Sequence, residues 1–414
     1  MSSERLRALL DSAESAGSWL QSLGFRDQER GRRNWVGLAE QGIPLDLLAV
    51  IARQLEELLP ASPDADMALN NLERYFANCT SPLSAAAVFE RDPTALGVLV
   101  QLFGTSQYFS DLVIAAPQYF EWLRSGWRGA RRAETLRDEL GAELRALPDS
   151  EVRLNAIRRF KQAELLRIGY RDIICDLPLE TITGEISALA DAVVAVALEL
   201  ATARMRERHG EPRRPDGGAG RFVVLAMGKL GGEELNYSSD IDLVFVYDED
   251  GSTDGRRIVS NDEFWGRVAG ELVRILTAHT ERGIAYRVDL RLRPEGERGP
   301  IVRSLLSTLA YYDTLGRTWE RQALIKARPI AGNAGLGREF LELIRPFVYR
   351  RYLSFAEINE IKALKRRIES QSHTNPTRAV WSAVARHRSE SDEQQSDPTQ
   401  SGVEPPHSKP HASD

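Results

Sequence analysis

Two aspartates, Asp240 and Asp242, stand two residues apart at the start of an apolar run. Side chains at positions i and i+2 of a strand lie on the same face, roughly 7 Å apart at the backbone. Two carboxylates placed in this way repel each other unless a cation lies between them, and their hard oxygens suit Mg²⁺ or Mn²⁺. The pair therefore indicates a divalent metal site, although a pair of exposed aspartates is also typical of a solvated strand edge.

A third carboxylate, Asp289, lies in a later stretch with three arginines, Arg287, Arg291 and Arg293, on the same polar face. Such a group is either a surface ion-pair cluster or a metal ligand beside arginines that neutralise phosphate. Three carboxylates with arginines are what a two-metal nucleotidyl or phosphoryl transfer needs. We therefore take Asp289 as a candidate third ligand.

A glycine-containing turn precedes the first two aspartates. Gly228 begins it, and Gly231-Gly232 adds flexibility. Backbone N–H groups in such a turn approach phosphate oxygens closely. The hydroxyls of Ser238 and Ser239 stand beside the aspartates. The turn is thus a candidate phosphate cradle next to the candidate metal site.

The spacing of this segment resembles a known superfamily. Gly228-Lys229, followed after ten residues by Asp240-Ile241-Asp242, is similar to the signature of the DNA polymerase beta-like nucleotidyltransferases, which usually have Gly or Ser where this chain has Lys229. Four longer strings resemble the glutamine synthetase adenylyltransferase family, over about Asn70 to Glu369. These strings are LLRIGYRDI (Leu165 to Ile173), GKLGGEELNYSSDIDLVF (Gly228 to Phe245), RVDLRLRPEGERGPIVRS (Arg287 to Ser304) and TWERQALIKARPIAG (Thr318 to Gly332).

The resemblance implies an activity. The family has two nucleotidyltransferase halves, of which the N-terminal one removes AMP from a tyrosine of glutamine synthetase by phosphorolysis, releasing ADP, and the C-terminal one attaches AMP from ATP. The string Asn236 to Asp242 resembles the adenylyl-removing half more closely. Adenylyl transfer from ATP, a fragment that only docks on glutamine synthetase, and a related enzyme with another substrate remain the alternatives.

The resemblance also implies roles for particular residues. It makes Asp240, Asp242 and Asp289 the catalytic metal ligands for Mg²⁺, with Mn²⁺ possible, and it places Gly228, Lys229, Ser239, Arg291 and Arg293 at the nucleotide and its phosphates. The implied partners are glutamine synthetase, nucleotide, phosphate and a nitrogen-signalling regulatory protein. Glu320, Arg321, Lys326 and Arg328 lie in a family motif without a derivable role, and a structural ion pair explains Glu320 and Arg321 equally well.

The surrounding pattern predicts the elements that position these side chains. Phe222 to Met227 and Ile241 to Tyr247 have strand length and composition, and Ala285 to Leu292 alternates as a strand does. Ser260 to Glu263 has the spacing of a capping box before an amphipathic helix. Together they predict an α/β unit with a small mixed sheet.

The whole chain is predicted to be α+β. A helical domain covers 1–150, a polymerase beta-like nucleotidyltransferase domain covers 151–350, a truncated helical segment starts at 351–369, and 370–414 is a disordered tail. The stretch Glu180 to Arg208 reads as one helix ended by Gly210, and the Pro- and Gly-rich stretch Glu211 to Gly220 reads as a mobile loop. The basic patch Arg158, Arg159 and Lys161 is either a solvated helix face or a ligand contact.

The resemblance fades after Glu369, at less than half of the family's usual length. We therefore expect a truncated chain without the adenylylating half, ending in a tail such as a frameshift leaves. Four of the six histidines lie in that tail, but their spacing matches no metal site.

Composition excludes several classes. The 414 residues carry 54 Lys and Arg against 60 Asp and Glu, a net charge of −6, so a general nucleic-acid binder is not expected. Two cysteines, Cys79 and Cys175, cannot build a disulfide scaffold. Charged residues interrupt Met1 to Leu23, so it lacks the apolar core of a signal peptide, and no membrane span is expected. We expect a reduced, soluble, cytoplasmic protein.

Overall fold

The computed structural model describes residues 1–124, 129–148, 150–350, 352 and 354–373. Its helices are α1 (Ser3–Asp11), α2 (Ala13–Ser22), α3 (Gln28–Glu40), α4 (Leu45–Ala61), α5 (Ala65–Asn78), α6 (Pro82–Arg91), α7 (Pro93–Thr105), α8 (Gln107–Ala115), α9 (Gln118–Arg124), α10 (Ala133–Arg145), α11 (Ser150–Ile173), α12 (Leu179–His209), α13 (Gly228–Gly231), α14 (Asn261–Thr277), α15 (Leu305–Thr314), α16 (Thr318–Leu324), α17 (Ala334–Val348) and α18 (Phe355–His373). Its strands are β1 (Pro212–Arg213), β2 (Phe222–Met227), β3 (Ile241–Tyr247), β4 (Ser252–Thr253), β5 (Val288–Asp289), β6 (Val302–Ser304) and β7 (Arg328–Gly332). The prediction of an α+β chain is confirmed.

The first part of the chain is helical, as predicted. Asp92 caps α7 by accepting a hydrogen bond from the Ala95 N–H, and Pro93 takes the first helical position. Ser106 caps α8 in the same way. The apolar stripe of α5 is buried and its aromatic rings meet those of α6, α7 and α9, so α5 holds the core of this region.

The long apolar helix α12 connects the helical region to the sheet. It ends at Gly210, whose φ of +76° is a left-handed conformation that glycine adopts without strain. Among the described helices, α12 alone has the length and hydropathy to cross a membrane, and most of its apolar stretch is buried inside the protein. It packs against α10, α11, α14 and β7, which is typical of a core helix.

The sheet is mixed, as predicted. Its order is β5-β3-β2-β7, with β6 pairing the far end of β3. The pairs β2–β3 and β2–β7 are antiparallel, whereas β5 and β6 run parallel to β3. The two central strands, β2 and β3, have the bounds that their apolar runs predict.

Both faces of the sheet are covered by helices. Ile241, Leu243 and Phe245 face the core that continues through α12 and α14 into the helical region. Val244 and Val246 face a smaller core built with α15 and α17. Because both faces of the central strands are buried, these strands read as continuous apolar runs, and polar residues are confined to their ends.

Three local predictions were wrong in detail. The alternating stretch Ala285 to Leu292 forms a strand only at Val288–Asp289, because it pairs only with the first two residues of β3. The capping box at Ser260 is not formed, since Ser260 makes no side-chain cap and Glu263 pairs with Arg267 instead. The stretch from Glu211 to Gly220 is not all loop, because Pro212–Arg213 pairs with β4.

The basic patch of α11 is solvated only at Arg159, which is exposed and pairs with Glu143, whereas Arg158 and Lys161 contact the protein interior. Arg158 is only 1% exposed, and its guanidinium donates to the carbonyl oxygens of Ile275, Ala278 and Gly283 at 2.5–3.1 Å. Lys161 donates to the carbonyl oxygen of Ala285 at 2.5 Å. Spacing along a helix does not reveal these contacts, because the acceptors lie more than a hundred residues later in the chain. The predicted tail lies outside the described residues beyond 373, and α18 reaches His373.

Candidate active site

Gly228, which begins the glycine turn, lies in contact with the Asp242 carboxylate. Strands β2 and β3 pair so that Met227 stands opposite Asp242, which puts Gly228 beside that carboxylate. Gly228 has a φ of +55°, and a Cβ atom there would lie 2.5 Å from Oδ2 of Asp242. Only glycine therefore fits at this position without moving the carboxylate.

The sheet brings the three aspartates to one edge. Asp242 on β3 is in register with Asp289 on the parallel strand β5, and Asp240 immediately precedes β3. Asp240 is exposed, whereas Asp242 and Asp289 are half-buried. Asp289, 47 positions after Asp242 in the chain, thus lies in one patch with Asp240 and Asp242.

The patch is electrostatically unbalanced at Asp242. The pKa of Asp242 is raised to about 6, first by burial and then by the carboxylates of Asp289 and Asp240, against the pull of Arg291 and Lys229. The pKa of Asp289 is lowered, chiefly because Arg291 hydrogen-bonds to it. The central carboxylate is the one whose charge the surrounding protein compensates least.

Three arginines lie around the patch: two of them pair with its carboxylates, and the third binds backbone carbonyl groups. Arg287 pairs with Asp240 and also donates to the carbonyl oxygen of Ser238 at 2.6 Å. Arg291 pairs with Asp289 through Nε at 2.8 Å and Nη2 at 2.5 Å. Arg293 instead donates to backbone carbonyls of the turn that follows β5, at 2.8–3.2 Å, so it holds that turn.

On the other side of the aspartates, Lys229 is exposed and its Nζ lies 3.5 Å from the Ser239 hydroxyl. This contact spans the loop that joins the glycine turn to β3. Lys229, Ser239 and Gly228 therefore line one side of the carboxylate patch, and Arg291 lines the other.

The donor set fits a divalent cation. As the side chains stand in the described residues, no three acidic, His or Cys groups converge tightly on one point. Two of the three aspartates are paired with Arg287 and Arg291, both of which are exposed. A cation among the three carboxylates would supply the positive charge that Asp242 lacks, and carboxylate oxygens are the ligands Mg²⁺ prefers.

The motif Thr318 to Gly332 forms α16 and β7, which pack next to the site. Glu320 and Arg321 are both buried, and the alternative of a structural ion pair holds for Arg321, whose partner is Glu357 and not Glu320. Glu320 accepts hydrogen bonds from the Tyr311 hydroxyl and the Arg317 N–H, and Arg321 pairs with Glu357 of α18. These residues tie α16 to its neighbours.

The same motif fixes the glycine turn. Arg328 on β7 donates to both carboxylate oxygens of Asp191 on α12 and to the carbonyl oxygen of Leu230 in the turn. Lys326 pairs with Glu234 at 2.6 Å, and Gly231 lies so close to the Lys326 carbonyl that a Cβ has no room there. Sequence reasoning missed Asp191, although a carboxylate in the apolar run of α12 is an available signal.

Helices α11 and α12 hold the loop between the turn and β3. The Tyr237 hydroxyl donates to Asp172 at 3.0 Å, and the Leu235 N–H donates to the Ser187 hydroxyl at 3.2 Å. Leu235 is fully buried. The helical layer thus fixes the backbone that presents Ser239 and Asp240.

Comparison with known proteins identifies similar chains. The model of the family described as glutamate-ammonia ligase adenylyltransferase matches residues 96–343. A bifunctional glutamine synthetase adenylyltransferase/adenylyl-removing enzyme of Thioalkalivibrio sulfidiphilus is 36% identical over 315 residues, which are 74% of this chain and 32% of that protein. Proteins of the same name from Methylococcus capsulatus and Pseudomonas aeruginosa are 40% and 43% identical over 64% and 57% of this chain, and 28% and 24% of their own lengths.

The matched region contains all of the candidate site residues. The chain spans about a third of the length of the curated relatives it matches. The comparisons therefore show the family of this chain, over part of its relatives' length.

Proposed function

Because the chain belongs to the glutamate-ammonia ligase adenylyltransferase family, we propose that it is a metal-dependent nucleotidyltransferase that acts on a tyrosine of glutamine synthetase. The favoured direction is removal of AMP by phosphorolysis, with release of ADP. The observation that carries the proposal is the register of Asp242 with Asp289, beside Asp240 and the Gly228 turn. The proposed setting is the cytoplasm, with a nitrogen-signalling protein as a further partner.

Asp240, Asp242 and Asp289 would hold Mg²⁺, or Mn²⁺ in its place. When bound, the ion supplies positive charge to the phosphate oxygens and polarises the reacting phosphorus–oxygen bonds. Gly228 leaves room at Asp242 for the backbone to approach a phosphate, and Lys229 and Ser239 donate to phosphate oxygens on that side. Arg291 neutralises phosphate charge on the other side once its pair with Asp289 opens, and Arg293 holds the turn in place.

The direction is tested with both substrates. Adenylylated glutamine synthetase is incubated with the chain, Mg²⁺ and phosphate, and the AMP mass on its tyrosine and free ADP are followed by mass spectrometry. A parallel sample contains unmodified glutamine synthetase and ATP. Loss of the AMP mass with release of ADP is the expected result, and gain of AMP mass in the parallel sample without that loss would reverse the direction.

The matched variants are Asp242→Asn and Asp138→Asn. Asp242→Asn removes the central ligand candidate, whereas the Asp138 side chain is 71% exposed on α10 and, within the described part of the chain, pairs with its neighbour Arg137 alone. Activity should disappear in the first and persist in the second. Binding of the folded wild-type chain to glutamine synthetase without any turnover would favour the docking fragment instead.

A further inference from the structure

Among the three candidate metal ligands, Asp240 is the one that the sheet holds least firmly. It precedes β3, whereas Asp242 and Asp289 lie within strands that pair with each other. Its side chain is 48% exposed, against 14% for Asp289. Fixing a mobile side chain costs rotamer entropy, so a ligand that is already held in place binds a cation more tightly than one that is not. The contribution of Asp240 to a metal site therefore depends on the groups that contact its carboxylate.

Arg287 supplies that contact. Its Nε donates to Oδ1 of Asp240, and its Nη2 donates to the carbonyl oxygen of Ser238 at 2.6 Å. The backbone carbonyl of Arg287 also accepts a hydrogen bond from the Ile241 N–H at 3.0 Å. Because a guanidinium is planar and its donors have fixed directions, its two bonds fix the Asp240 carboxylate relative to the backbone of the same loop.

This contact leaves Asp240 available to a cation. Arg287 takes only Oδ1, and no group in the described part of the chain donates to Oδ2. Asp240 and Asp289 line one open cavity of about 380 Å³, and the described residues of its lining include Arg291 but not Arg287. Arg287 therefore meets Asp240 from outside this cavity, and Oδ2 remains free while Arg287 holds Oδ1.

Arg291 is placed differently, although it too stands two residues from Asp289 in the chain. It belongs to the lining of the cavity, and its side chain bonds to both carboxylate oxygens of Asp289 at 2.5–3.0 Å. A cation that binds Asp289 needs at least one of these oxygens, so it competes with Arg291. The two arginines that flank Asp289 thus differ in their relation to a bound cation.

We propose that Arg287 is a positioning residue, which orients Asp240 for the divalent cation and stays paired with it when the cation binds. The inference rests on the proposed function, since the cation belongs to that reaction, and it gives Arg287 a role other than phosphate contact. Carboxylates that bind metal ions are themselves commonly hydrogen-bonded, and loss of the orienting group weakens metal binding by about 10–100-fold. The charge of Arg287 acts in the opposite direction, because a nearby cation repels a metal ion. Weaker metal binding after its removal is therefore a sign of lost orientation.

The first test is Mn²⁺ binding to the full chain without nucleotide or glutamine synthetase, measured by electron paramagnetic resonance of the free ion. Arg287→Met should bind Mn²⁺ about tenfold more weakly than the wild type. Arg291→Met is the matched control, since it removes an equally placed, exposed arginine that competes with the cation, and it should bind Mn²⁺ as tightly as the wild type or more tightly. Unchanged or tighter binding by Arg287→Met would overturn the proposal.

The second test uses Arg287→Lys, which separates orientation from charge. Lysine keeps the positive charge but lacks the fixed pair of donors, so Mn²⁺ affinity should again fall several-fold. Because the Arg287–Asp240 pair is exposed, neither substitution should shift the melting temperature by more than a few degrees, which circular dichroism checks. Arg287→Lys also carries the test if Arg287→Met does not fold. Wild-type affinity in Arg287→Lys would show that charge alone matters and would contradict the positioning role.

Three outcomes distinguish the inference from the proposed function. If the wild type removes AMP from adenylylated glutamine synthetase while both Arg287 variants bind Mn²⁺ as the wild type does, the function stands and the positioning role is wrong. If Mn²⁺ binding depends on Arg287 but the wild type neither removes nor adds AMP, the positioning role stands and the function is wrong. A wild type that binds no Mn²⁺ overturns the positioning role, and the AMP assay then decides the function alone.

Discussion

At the scale of single residues, the chemistry depends on Asp242, whose charge the protein compensates least. Burial and the two neighbouring carboxylates outweigh the pull of Arg291 and Lys229, so the protonated form of Asp242 is more stable than that of a free aspartate. A metal ion reverses this preference by supplying the missing positive charge. The charged Asp242 carboxylate therefore destabilises the metal-free protein, and it favours binding of a metal ion.

This imbalance predicts a pH dependence of stability. The folded pKa of Asp242 is about 6, above the usual value of roughly 4 for an unfolded aspartate. Its destabilising effect is absent below the unfolded pKa, builds up between the two values, and is complete above about pH 6. In EDTA, the free energy of unfolding of the wild type relative to Asp242→Asn should fall by about 1–2 kcal/mol between pH 4 and pH 7, with allowance for solvent screening.

Urea unfolding of both proteins across this pH range measures the effect. Asp138→Asn serves as the control, since its carboxylate is exposed and its curve should run parallel to that of the wild type. Added Mg²⁺ should stabilise the wild type at pH 7 more than it stabilises Asp242→Asn. Parallel curves for the wild type and Asp242→Asn would show that the aspartates do not repel one another as described.

A second prediction at this scale concerns Gly228. In Gly228→Ala the left-handed φ alone costs about 1–2 kcal/mol, and the new Cβ displaces the Asp242 carboxylate as well. We expect a loss of stability of this size and a larger loss of activity. Gly270→Ala is the matched control, because Gly270 is an exposed residue of α14 with no heavy atom near the new Cβ, and alanine there should stabilise the helix by up to about 1 kcal/mol.

At the scale of elements, the segment before β5 depends on α11. The Arg158 guanidinium satisfies three carbonyl groups at the end of α14 and in the turn after it. Burial and the nearby Arg274 lower the pKa of Arg158 to about 10, so it remains charged at neutral pH. One side chain of the helical layer therefore fixes the approach of the strand that carries Asp289.

Arg158→Met should therefore destabilise the protein by about 3 kcal/mol, because it leaves buried carbonyl groups without partners. The amides of Ala285 and Tyr286, which donate to the Leu276 carbonyl, should exchange faster with deuterium than in the wild type. Arg159→Met is the control, since that side chain is 52% exposed and pairs with Glu143 at the surface, and should change stability by no more than about 0.5 kcal/mol. Equal effects of the two substitutions would contradict the positioning role of Arg158.

At the scale of the whole molecule, one apolar core runs from α1 through α12 and α14 to one face of the sheet. The predicted boundary at residue 150 falls where α11 begins, and α11 packs against α7, α8 and α9 as well as α12. Continuous packing of this kind favours a single cooperative unfolding transition. We therefore expect the helical region and the sheet to unfold together.

Two tryptophans report on the two regions. Trp35 is buried in α3, and Trp265 is buried in α14 against Phe222 of β2. Two variants are compared, one with Trp35 and one with Trp265 as the sole tryptophan of the seven in the chain. Urea unfolding followed by fluorescence should give the same midpoint in both, after correction for any change in overall stability measured by circular dichroism. Two separate midpoints would instead support independent domains with a boundary near residue 150.

The sequence predicts those features that depend on neighbouring residues. The bounds of β2 and β3, the helix starts at Asp92 and Ser106, and the end of α12 at Gly210 follow from local apolar patterns, caps and turn residues. The shortness of β5 cannot be predicted from local sequence patterns, because the length of a strand depends on how far it pairs with its partner.

The sequence by itself determined the family, the fold class and the candidate ligands, because those depend on residue types at fixed spacing along the chain. Only the tertiary structure decided which distant groups meet. It set Asp242 beside Asp289, gave Arg328 to Asp191, buried Arg158 under the turn after α14, and paired Arg287 with Asp240. The physical reason is that ion pairs, burial and cavities depend on distances in space, and these are fixed by the packing of helices around the sheet.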